Sequence, residues 1–487
     1  MRTPTLTALG LGALWLTLPG VSAGQTNSDS FLIGERGAAL GGAFTAVADD
    51  GSALYYNPAG LARIRRTNLS LSANTYGYYS STQEAAYRDD DSQVDLSRSG
   101  TLIVPNSLVY ILPLGEPGGL EHTLAFGVMV PHAFKYEGSE NGSLEEARAD
   151  AFDRQDAYDA IDETVYLAGP AYAVRLGDFS VGASLLAAGY VYNARSMVTT
   201  TYGDEIGVFR EQEFLAESAT YLGLTGALGV HWRPLDAWSL GLKVGLPTAR
   251  LWSSARVSAH RTVAEVATTD EDGDPLAQPR TVQLFQDVYR DVGGTVNWKR
   301  PLSFSLGTAW HGPDGWLVSA DARLYLAQDA YARIEGKSRT AAAAPGEIWD
   351  PEEGEDRVFE AGTETLARAM VINGALGVAA PVSPTLRIMG GVWTDFSSVR
   401  DEDVFAQYGE QVDQYGLSLA VQRVKDTTLT VGVMGLLGSG RTRGVDLSRD
   451  AVDYESKITA WSVSLFLAGS APMDDPKGCD TPQGADR

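Results

Sequence analysis

The sequence contains almost no cysteine, since Cys479 is the only one in 487 residues. A single thiol excludes an intramolecular disulfide and a zinc site built from thiolates. The five histidines are scattered without an H-E-x-x-H pattern, and no G-x-S-x-G motif occurs. We therefore predict no metal, no cofactor and no enzymatic activity. A Ser–His or Asp–His pair assembled across strands at a barrel rim stays open as a remote alternative.

Long apolar runs are also missing. Beyond residue 23, no stretch approaches the roughly 20 apolar residues of a membrane-spanning helix. Residues 1–23 have the form of a secretory signal peptide, with Arg2, an apolar run from Ala8 to Leu18 and the small-residue site Val21-Ser22-Ala23. No cysteine follows that site, so lipid attachment there is excluded. We expect the chain to be exported.

Basic residues are outnumbered, because 38 Lys and Arg stand against 62 Asp and Glu, for a net charge of −24. A charge of that sign argues against nucleic acid as a partner. Hydrophobic residues nevertheless make up 44% of the chain, and glycine occurs 53 times. Apolar content without a spanning helix is typical of an outer-membrane β-barrel. A secreted soluble β-protein is the alternative.

Alternation of apolar and polar residues marks about fourteen strands. In the clearest, 237–248, Leu240, Leu242, Val244 and Leu246 alternate with small or polar residues. The other segments are 67–80, 107–112 (a weak one), 122–134, 164–176, 179–195, 219–232, 297–311, 315–326, 368–381, 384–397, 413–423, 427–438 and 457–468. This pattern predicts an all-β fold, a transmembrane antiparallel β-barrel of about fourteen strands.

The connections between these strands are alternately short and long. The long ones are 81–106, 135–163, 196–218, 249–296, 334–367, 398–412 and 439–456, and they hold more than two-thirds of the acidic residues but under half of the basic ones. Outer-membrane barrels combine short periplasmic turns with long extracellular loops and keep charge away from the lipid face. An acidic rim fits either plain solvation or divalent cations bridging lipopolysaccharide. The run from Asp270 to Asp274 lacks EF-hand spacing.

Two of these loops show helix-like spacing. A capping-box pattern begins at Ser143, with apolar residues continuing to Ile161, and a second apolar face spans Gln283 to Val292. We predict a helix in each. Such helices would either receive a lipid at the barrel mouth or pack among neighbouring loops.

The segment from Gly34 to Ile64 is rich in Gly and Ala and turns at Asn57-Pro58. Small residues permit close backbone packing, so the segment is predicted to form a compact plug. The carboxylates Asp49 and Asp50 are expected to accept hydrogen bonds from backbone or from an arginine. The candidate arginines are Arg36, Arg63, Arg65 and Arg66. The apolar residues Phe31, Leu32 and Ile33 precede the plug and would occupy a pocket until a ligand displaces them.

Within this segment, LGGAFTAVADDGSALYYNPAGLA resembles the N-terminal signature of the FadL/TodX-type outer-membrane transporters of long-chain fatty acids and aromatic hydrocarbons. The resemblance implies an N-terminal hatch inside a fourteen-stranded barrel. Asn57, Pro58 and Ala59 match the family's Asn-Pro-Ala motif residue by residue, and their implied role is to hold the hatch against the wall and permit its movement. The implied function is passive inward transport of a fatty acid or another hydrophobic molecule.

The resemblance also implies a kinked third strand that opens a lateral exit into the membrane. Pro131 lies in the third predicted strand, where it removes a ladder donor and should break or bulge the strand. A strand end at the outer rim is the other interpretation of this proline.

These predictions divide the chain into a signal peptide (1–23), a hatch (24–66), a barrel (67–468) and a polar tail (469–487). The last strand carries Phe466, whereas barrels of this type usually end at an aromatic residue. We expect a Gram-negative outer-membrane location, contact with lipid and lipopolysaccharide, and insertion by the barrel-assembly machinery. The alternative function is a scaffold for partner proteins, because shuttle proteins of the type IX secretion system share this kind of signature.

Overall fold

The computed structural model describes residues 32–88, 93–142, 154–203, 208–269, 275–343, 359–360, 365–404, 410–446 and 452–473. The predicted signal peptide, Phe31, Cys479, the run from Asp270 to Asp274 and the tail from residue 474 lie outside these ranges. Helices are short: α1 is Glu35–Ala39, α2 is Ala53–Tyr56, and 3₁₀ turns include Pro58–Arg63. No helix among the described residues is long and apolar enough to cross a membrane.

Strands make up most of the described chain. They are β1 Asn68–Arg88, β2 Gln93–Gly115, β3 Glu121–Gly142, β4 Arg154–Leu176, β5 Phe179–Gly203, β6 Val208–Leu235, β7 Trp238–Thr269, β8 Pro275–Val296, β9 Ser303–His311, β10 Leu317–Tyr325, β11 Gln328–Ala332, β12 Ile334–Ala343, β13 Phe359–Glu360, β14 Thr365–Arg368, β15 Val371–Ser383, β16 Leu386–Asp395, β17 Gln411–Val424, β18 Thr428–Asp446 and β19 Val452–Pro472.

The strands form one closed antiparallel sheet in which neighbours along the chain are neighbours in the wall. Closure joins β1 to β19, from Asn68 opposite Pro472 to Gln83 opposite Ile458. Three positions in the wall are each shared by two segments, namely β8 with β9, β10 with β12, and β13 with β15. A small separate pair consists of β11 and β14. The wall therefore has fourteen positions, which confirms the predicted barrel.

One end of the barrel carries short turns, and the other extends well beyond the predicted strands. Turns such as 176–179, 235–238 and 424–428 lie where alternation predicted them. At the far end, however, much of the predicted loops 81–106, 196–218 and 249–296 is strand. Both faces of a strand are hydrated above a bilayer, so those strands carry no apolar alternation to reveal them.

Both helix predictions in the loops are wrong where the structure describes them. Gln283 to Val292 belongs to β8, which pairs with β7 on one edge and β12 on the other. Residues 154–161 belong to β4, and residues 143–153 lie outside the described ranges. The backbone N–H and C=O groups of β8 bond to the strands on its two edges and not within a helix. The helical spacing of its apolar side chains therefore predicted the wrong element.

The outer surface of the barrel presents an apolar belt. Alternate residues of β7, such as Leu240, Leu242 and Leu246, are exposed, as are Leu306 and Leu417 on other strands. Exposed aromatic residues lie at both edges of the belt: Phe179, Trp232, Trp238 and Trp316 near the short turns, and Tyr78, Trp252, Tyr415 and Trp461 on the far side. An apolar band between aromatic girdles is the surface of a barrel that spans a membrane.

Candidate functional site in the barrel lumen

Residues 32–66, hereafter the N-terminal segment, lie inside the barrel near the short turns. Nearly every residue from Leu32 to Ala48 is buried, and their partners belong to strands on all sides of the wall. Wall glycines make this contact possible, because a Cβ on any of them would lie under 3.0 Å from backbone atoms of the segment. They are Gly182, Gly241, Gly307, Gly377 and Gly391, and a Cβ on Gly229 would lie 2.1 Å from the Asn57 side chain. The segment therefore fits the wall backbone to backbone.

Asn57 ties the segment to itself and to the wall. Its Nδ2 donates to Thr45 O (2.8 Å) and to Val230 O of β6 (3.0 Å), and its Oδ1 accepts from the N–H of Ala59 (3.2 Å). Asn57 is completely buried, and Pro58 begins the 3₁₀ turn that Asn57 caps. A side chain satisfying three backbone groups at once supports a positioning role for this motif.

A second anchor is Asp321 of β10. Its Oδ2 accepts from the N–H groups of Phe44 (3.1 Å) and Thr45 (2.9 Å). Arg323, two residues along the strand and on the same face, donates to Gly42 O and lies 4.0 Å from Asp321. No sequence pattern predicts this anchor, because an alternating Asp and Arg in a strand equally fits a polar barrel interior.

Of the four candidate arginines, only Arg36 pairs with the two carboxylates. Its guanidinium binds Asp49, and its backbone N–H donates to Asp50 Oδ2 (3.1 Å). Arg63 instead contacts His231, and Arg65 contacts Glu121 of β3. Burial, and then the negative charge of Asp49, raises the pKa of Asp50.

Glu35 at the start of α1 is bound to β17 and β18. Its Oε1 accepts from Gln422 Nε2 (2.9 Å) and from Thr430 Oγ1 (2.8 Å). Burial raises the pKa of this carboxyl as well. Glu35 and Asp321 thus hold the segment against strands on different sides of the barrel.

A Ser–His pair occurs where Ser239 Oγ lies 2.9 Å from His311 Nε2. However, the Ser239 hydroxyl donates to Ala46 O (2.8 Å), so it accepts the hydrogen bond from His311. A serine that accepts from its histidine is not activated as a nucleophile. The pair lies at the short-turn end and serves as another anchor of the N-terminal segment.

The apolar residues at the start of the segment lie against β2. Leu32 and Ile33 are 2% and 0% exposed, and Asn106 donates to Leu32 O (2.7 Å). Phe31 lies outside the described residues. Asn106 also accepts from the N–H of Gly34 (3.2 Å), so a single side chain fixes this stretch to the wall.

Pro131 lies where the wall between β2 and β3 loses its backbone pairing. The ladder ends at Ser107 opposite Met129, although both strands continue and are described beyond that pair. If the register continued, Pro105 would face Pro131, and neither residue has an N–H to donate. Met129, Val130 and Pro131 are buried in succession, so alternation is lost at this point. We call this opening, between residues 93–106 and 130–142, the first seam.

One side chain bridges the first seam through the lumen. Tyr79 of β1 donates its hydroxyl to Lys135 O of β3 (2.8 Å), and its ring lies 5.1 Å from that of Phe134. It crosses β2 at Gly100, where a Cβ would lie 2.6 Å from the Tyr79 oxygen. The contact joins two strands that do not neighbour each other in the wall.

A pocket lies beyond the N-terminal segment, on the side of the barrel formed by β6, β7 and β9. The pocket is partly open to solvent. Apolar lining includes Leu54, Leu167, Leu186, Leu246, Leu326 and Val371, and the charged lining consists of Lys243, Lys299, Arg300 and Arg368. No Asp or Glu lines it among the described residues. The pocket combines apolar walls with positive charge.

The described residues contain no group of three or more His, Cys, Asp or Glu that could hold a metal ion. Sequence reasoning missed Pro105 and the four pocket cations. Pro105 lies in the predicted loop 81–106. A strand prediction that extended through this loop would have placed Pro105 opposite Pro131. The cations come from three distant parts of the chain, so no local pattern marks them.

The molecule is thus a closed, fourteen-stranded transmembrane barrel with its N-terminal segment inside the lumen. Its fold is that of the FadL/TodX-type channels. Similar solved structures include a Pseudomonas aeruginosa FadL homologue, with a TM-score of 0.52 and 11% identity over 93% of this chain and 100% of that chain. The Pseudomonas putida toluene transporter TodX gives a TM-score of 0.58 and 13% identity over 92% of this chain and 100% of its own.

The TodX deltaS2S3 mutant, described as a monoaromatic hydrocarbon channel, gives a TM-score of 0.57 and 14% identity over 91% of this chain and 100% of that chain. No protein-family model and no curated protein matches the sequence. At these identities the likeness establishes the fold, and the function has to be argued from the lumen.

Proposed function

We propose that the protein carries hydrophobic small molecules, in particular long-chain fatty acids, passively across the outer membrane of a Gram-negative cell. The pocket is the observation that supports this most directly. Apolar walls suit an acyl chain, and four cations in the lining suit its acid group. The transporters named above share the fold, and those described as carrying toluene and aromatic hydrocarbons show that such a barrel can pass apolar molecules.

In this proposal the N-terminal segment is a hatch. Asn57, Pro58, Ala59, Arg36, Asp49 and Asp50 hold it in place, and the stretch Phe31, Leu32 and Ile33 blocks the path until a ligand displaces it. The solute leaves sideways through the first seam beside Pro131. Contact of the outer loops with lipopolysaccharide and insertion by the barrel-assembly machinery belong to the same proposal.

The scaffold alternative is less well supported. A protein-docking scaffold needs no luminal pocket, whereas here apolar and cationic side chains from distant parts of the chain line one. Identifying the molecules that co-purify with the detergent-extracted protein separates the two functions. A bound fatty acid supports transport, and a protein partner in the absence of any lipid supports the scaffold.

Closing the first seam should reduce uptake. Replacing Pro131 with Ala, or both Pro105 and Pro131 with Ala, restores backbone donors and lets the β2–β3 ladder continue. Because each net hydrogen bond contributes about 1 kcal/mol, we expect uptake of a radiolabelled fatty acid by whole cells to fall about fivefold or more in the double variant. Pro381→Ala makes the same chemical change in β15, away from the seam, and should leave uptake unchanged. Normal uptake by a correctly assembled double variant would remove the lateral exit from the proposal.

The charge of the pocket should select acids over neutral hydrocarbons. Lys299→Gln together with Arg300→Gln removes two cations from the lining. Hydrogen bonds to charged groups contribute about 1.5–3 kcal/mol, so we expect the affinity for dodecanoate to fall about tenfold while the affinity for toluene stays within twofold. Calorimetry on the purified protein measures both. Lys425→Gln, at an exposed position in the 424–428 turn, is the matched control. Equal loss for both ligands would contradict recognition of the acid group.

A further inference from the structure

The wall has a second break in its pairing, far from the first seam. The β7–β9 ladder ends at Gly245 opposite Ser303, and the β7–β8 ladder begins at Ala255 opposite Gly294. Between these pairs, residues 246–254 and 295–302 run side by side but do not pair with each other through their backbones. All of these residues are described. Continuing the lower register places Pro247 opposite Pro301. Two facing prolines end the ladder here, as Pro105 and Pro131 do at the first seam.

Side chains close this second seam. Thr248 Oγ1 donates to Trp298 O (3.2 Å) and accepts from the N–H of Arg300 (3.1 Å). Arg250 donates to Asn297 Oδ1 (2.7 Å). A regular ladder over nine residues would supply several backbone hydrogen bonds. Fewer hydrogen bonds therefore have to be broken to open the seam than to open the neighbouring wall.

The cation-lined pocket borders this seam, because Leu246 and Pro301 belong to its lining. Alternation along β7 directs Lys243 and Gly245 into the lumen and Leu246 towards the membrane, where Leu246 is 39% exposed. All three residues nevertheless line the same pocket. Leu251 and Trp252, 62% and 54% exposed, place the seam within the apolar belt.

We propose that the second seam is a lateral portal by which a single-chain carboxylate amphiphile dissolved in the bilayer reaches the pocket. The acyl chain lies between Leu246 and Pro301, and the carboxylate binds Lys299 and Arg300 just inside the wall. Charge complementarity selects this occupant, since the head group meets cations while the tail remains among apolar side chains. The inference rests on the proposed function for its ligand, but it concerns a different opening from the exit beside Pro131.

The test compares two variants that change the seam in opposite directions. Pro247→Ala with Pro301→Ala restores two backbone donors and closes the seam, whereas Thr248→Ala removes the side-chain bridge. The full-length protein is reconstituted in nanodiscs, and binding of parinaric acid, a fluorescent fatty acid, is followed by energy transfer from tryptophan. The probe is delivered either within donor vesicles that fuse into the bilayer or from the aqueous phase.

We expect the double proline variant to slow binding of the bilayer-dissolved probe about tenfold and Thr248→Ala to speed it severalfold, because the first adds backbone hydrogen bonds across the seam and the second removes the side-chain bridge. The equilibrium affinity and the rate from water should stay within twofold of wild type. Pro105→Ala with Pro131→Ala, which closes the first seam, should leave the bilayer rate unchanged.

Three results would overturn the inference: a bilayer rate that neither second-seam variant alters, a rate slowed only by closing the first seam, or fast binding from water alone. Failure of the proposed function looks different, because the wild-type protein would then bind no parinaric acid by either route. If the double proline variant does not fold, Thr248→Ala still decides the question, since an unchanged bilayer rate there contradicts the portal.

Discussion

Replacing Asp321 with Ala should release the N-terminal segment from the wall. The substitution removes the acceptor for the N–H groups of Phe44 and Thr45 and leaves Arg323 buried without its carboxylate. Breaking one partner of a buried ion pair costs about 3–5 kcal/mol, which exceeds what any single remaining anchor supplies. We expect the segment to become accessible to protease and the barrel to leak hydrophilic tracers in liposomes.

Two companions of Asp321→Ala separate its hydrogen bonds from its charge. Asp321→Asn keeps one side-chain oxygen, which suffices because both N–H groups donate to the same Oδ2. It should therefore leak less than Asp321→Ala. Adding Arg323→Met to Asp321→Ala also removes the hydrogen bond to Gly42 O, so the double variant should release the segment further. Wild-type protease resistance in Asp321→Ala would show that this anchor does not hold the segment.

Gly391→Val should have an effect of similar size by crowding the segment. A Cβ at Gly391 would lie 2.3 Å from Leu40 C and 2.4 Å from Gly41 N, and neither backbone atom can move without displacing the segment. Overpacking of a well-packed core costs about 1–3 kcal/mol, and rigid backbone neighbours place this site at the upper end. Cysteine labelling at Ala46, in a background where Cys479 is Ser, reports the displacement.

The adjacent glycine gives a matched control for Gly391→Val. Gly390 precedes it in β16 and points the opposite way, and a Cβ there would meet nothing closer than Ser418 O at 3.3 Å. Gly390→Val should fold and protect Ala46 as the wild-type chain does. If both variants expose Ala46 equally, the cause is a weakened strand and not contact between the wall and the segment.

Alternation predicted the wall because lipid imposes it. Each strand must present apolar residues outward, and Leu240, Leu242 and Leu246 show that constraint in the sequence. Where the wall stands in water, as in the far halves of β6 and β7, the constraint disappears and strands were predicted as loops. The same loss concealed Pro105, which lies in the part of β2 that shows little alternation.

The interior was harder to predict, because its contacts join distant parts of the chain. The motif around Asn57 identified a plug, yet its anchor Asp321 lies 277 residues from Phe44. A carboxylate that accepts from two backbone N–H groups has no sequence signature, since any strand residue facing inward can do so. The sequence offers four arginines as partners of Asp49. The fold brings Arg36 to it and places Arg63 and Arg65 against residues of the wall.

The length of β7 has a consequence for the path of a solute. Its 32 residues, at about 3.3 Å each and a tilt of about 40°, rise about 80 Å, whereas the apolar band of such barrels is only about 25 Å tall. Because Trp238 marks the lower edge of the belt, most of that height stands outside the bilayer. A surface polysaccharide layer no thicker than this protruding wall would surround the barrel without covering its outer mouth. A water-insoluble molecule that enters at the mouth would then not have to cross the hydrated sugar layer.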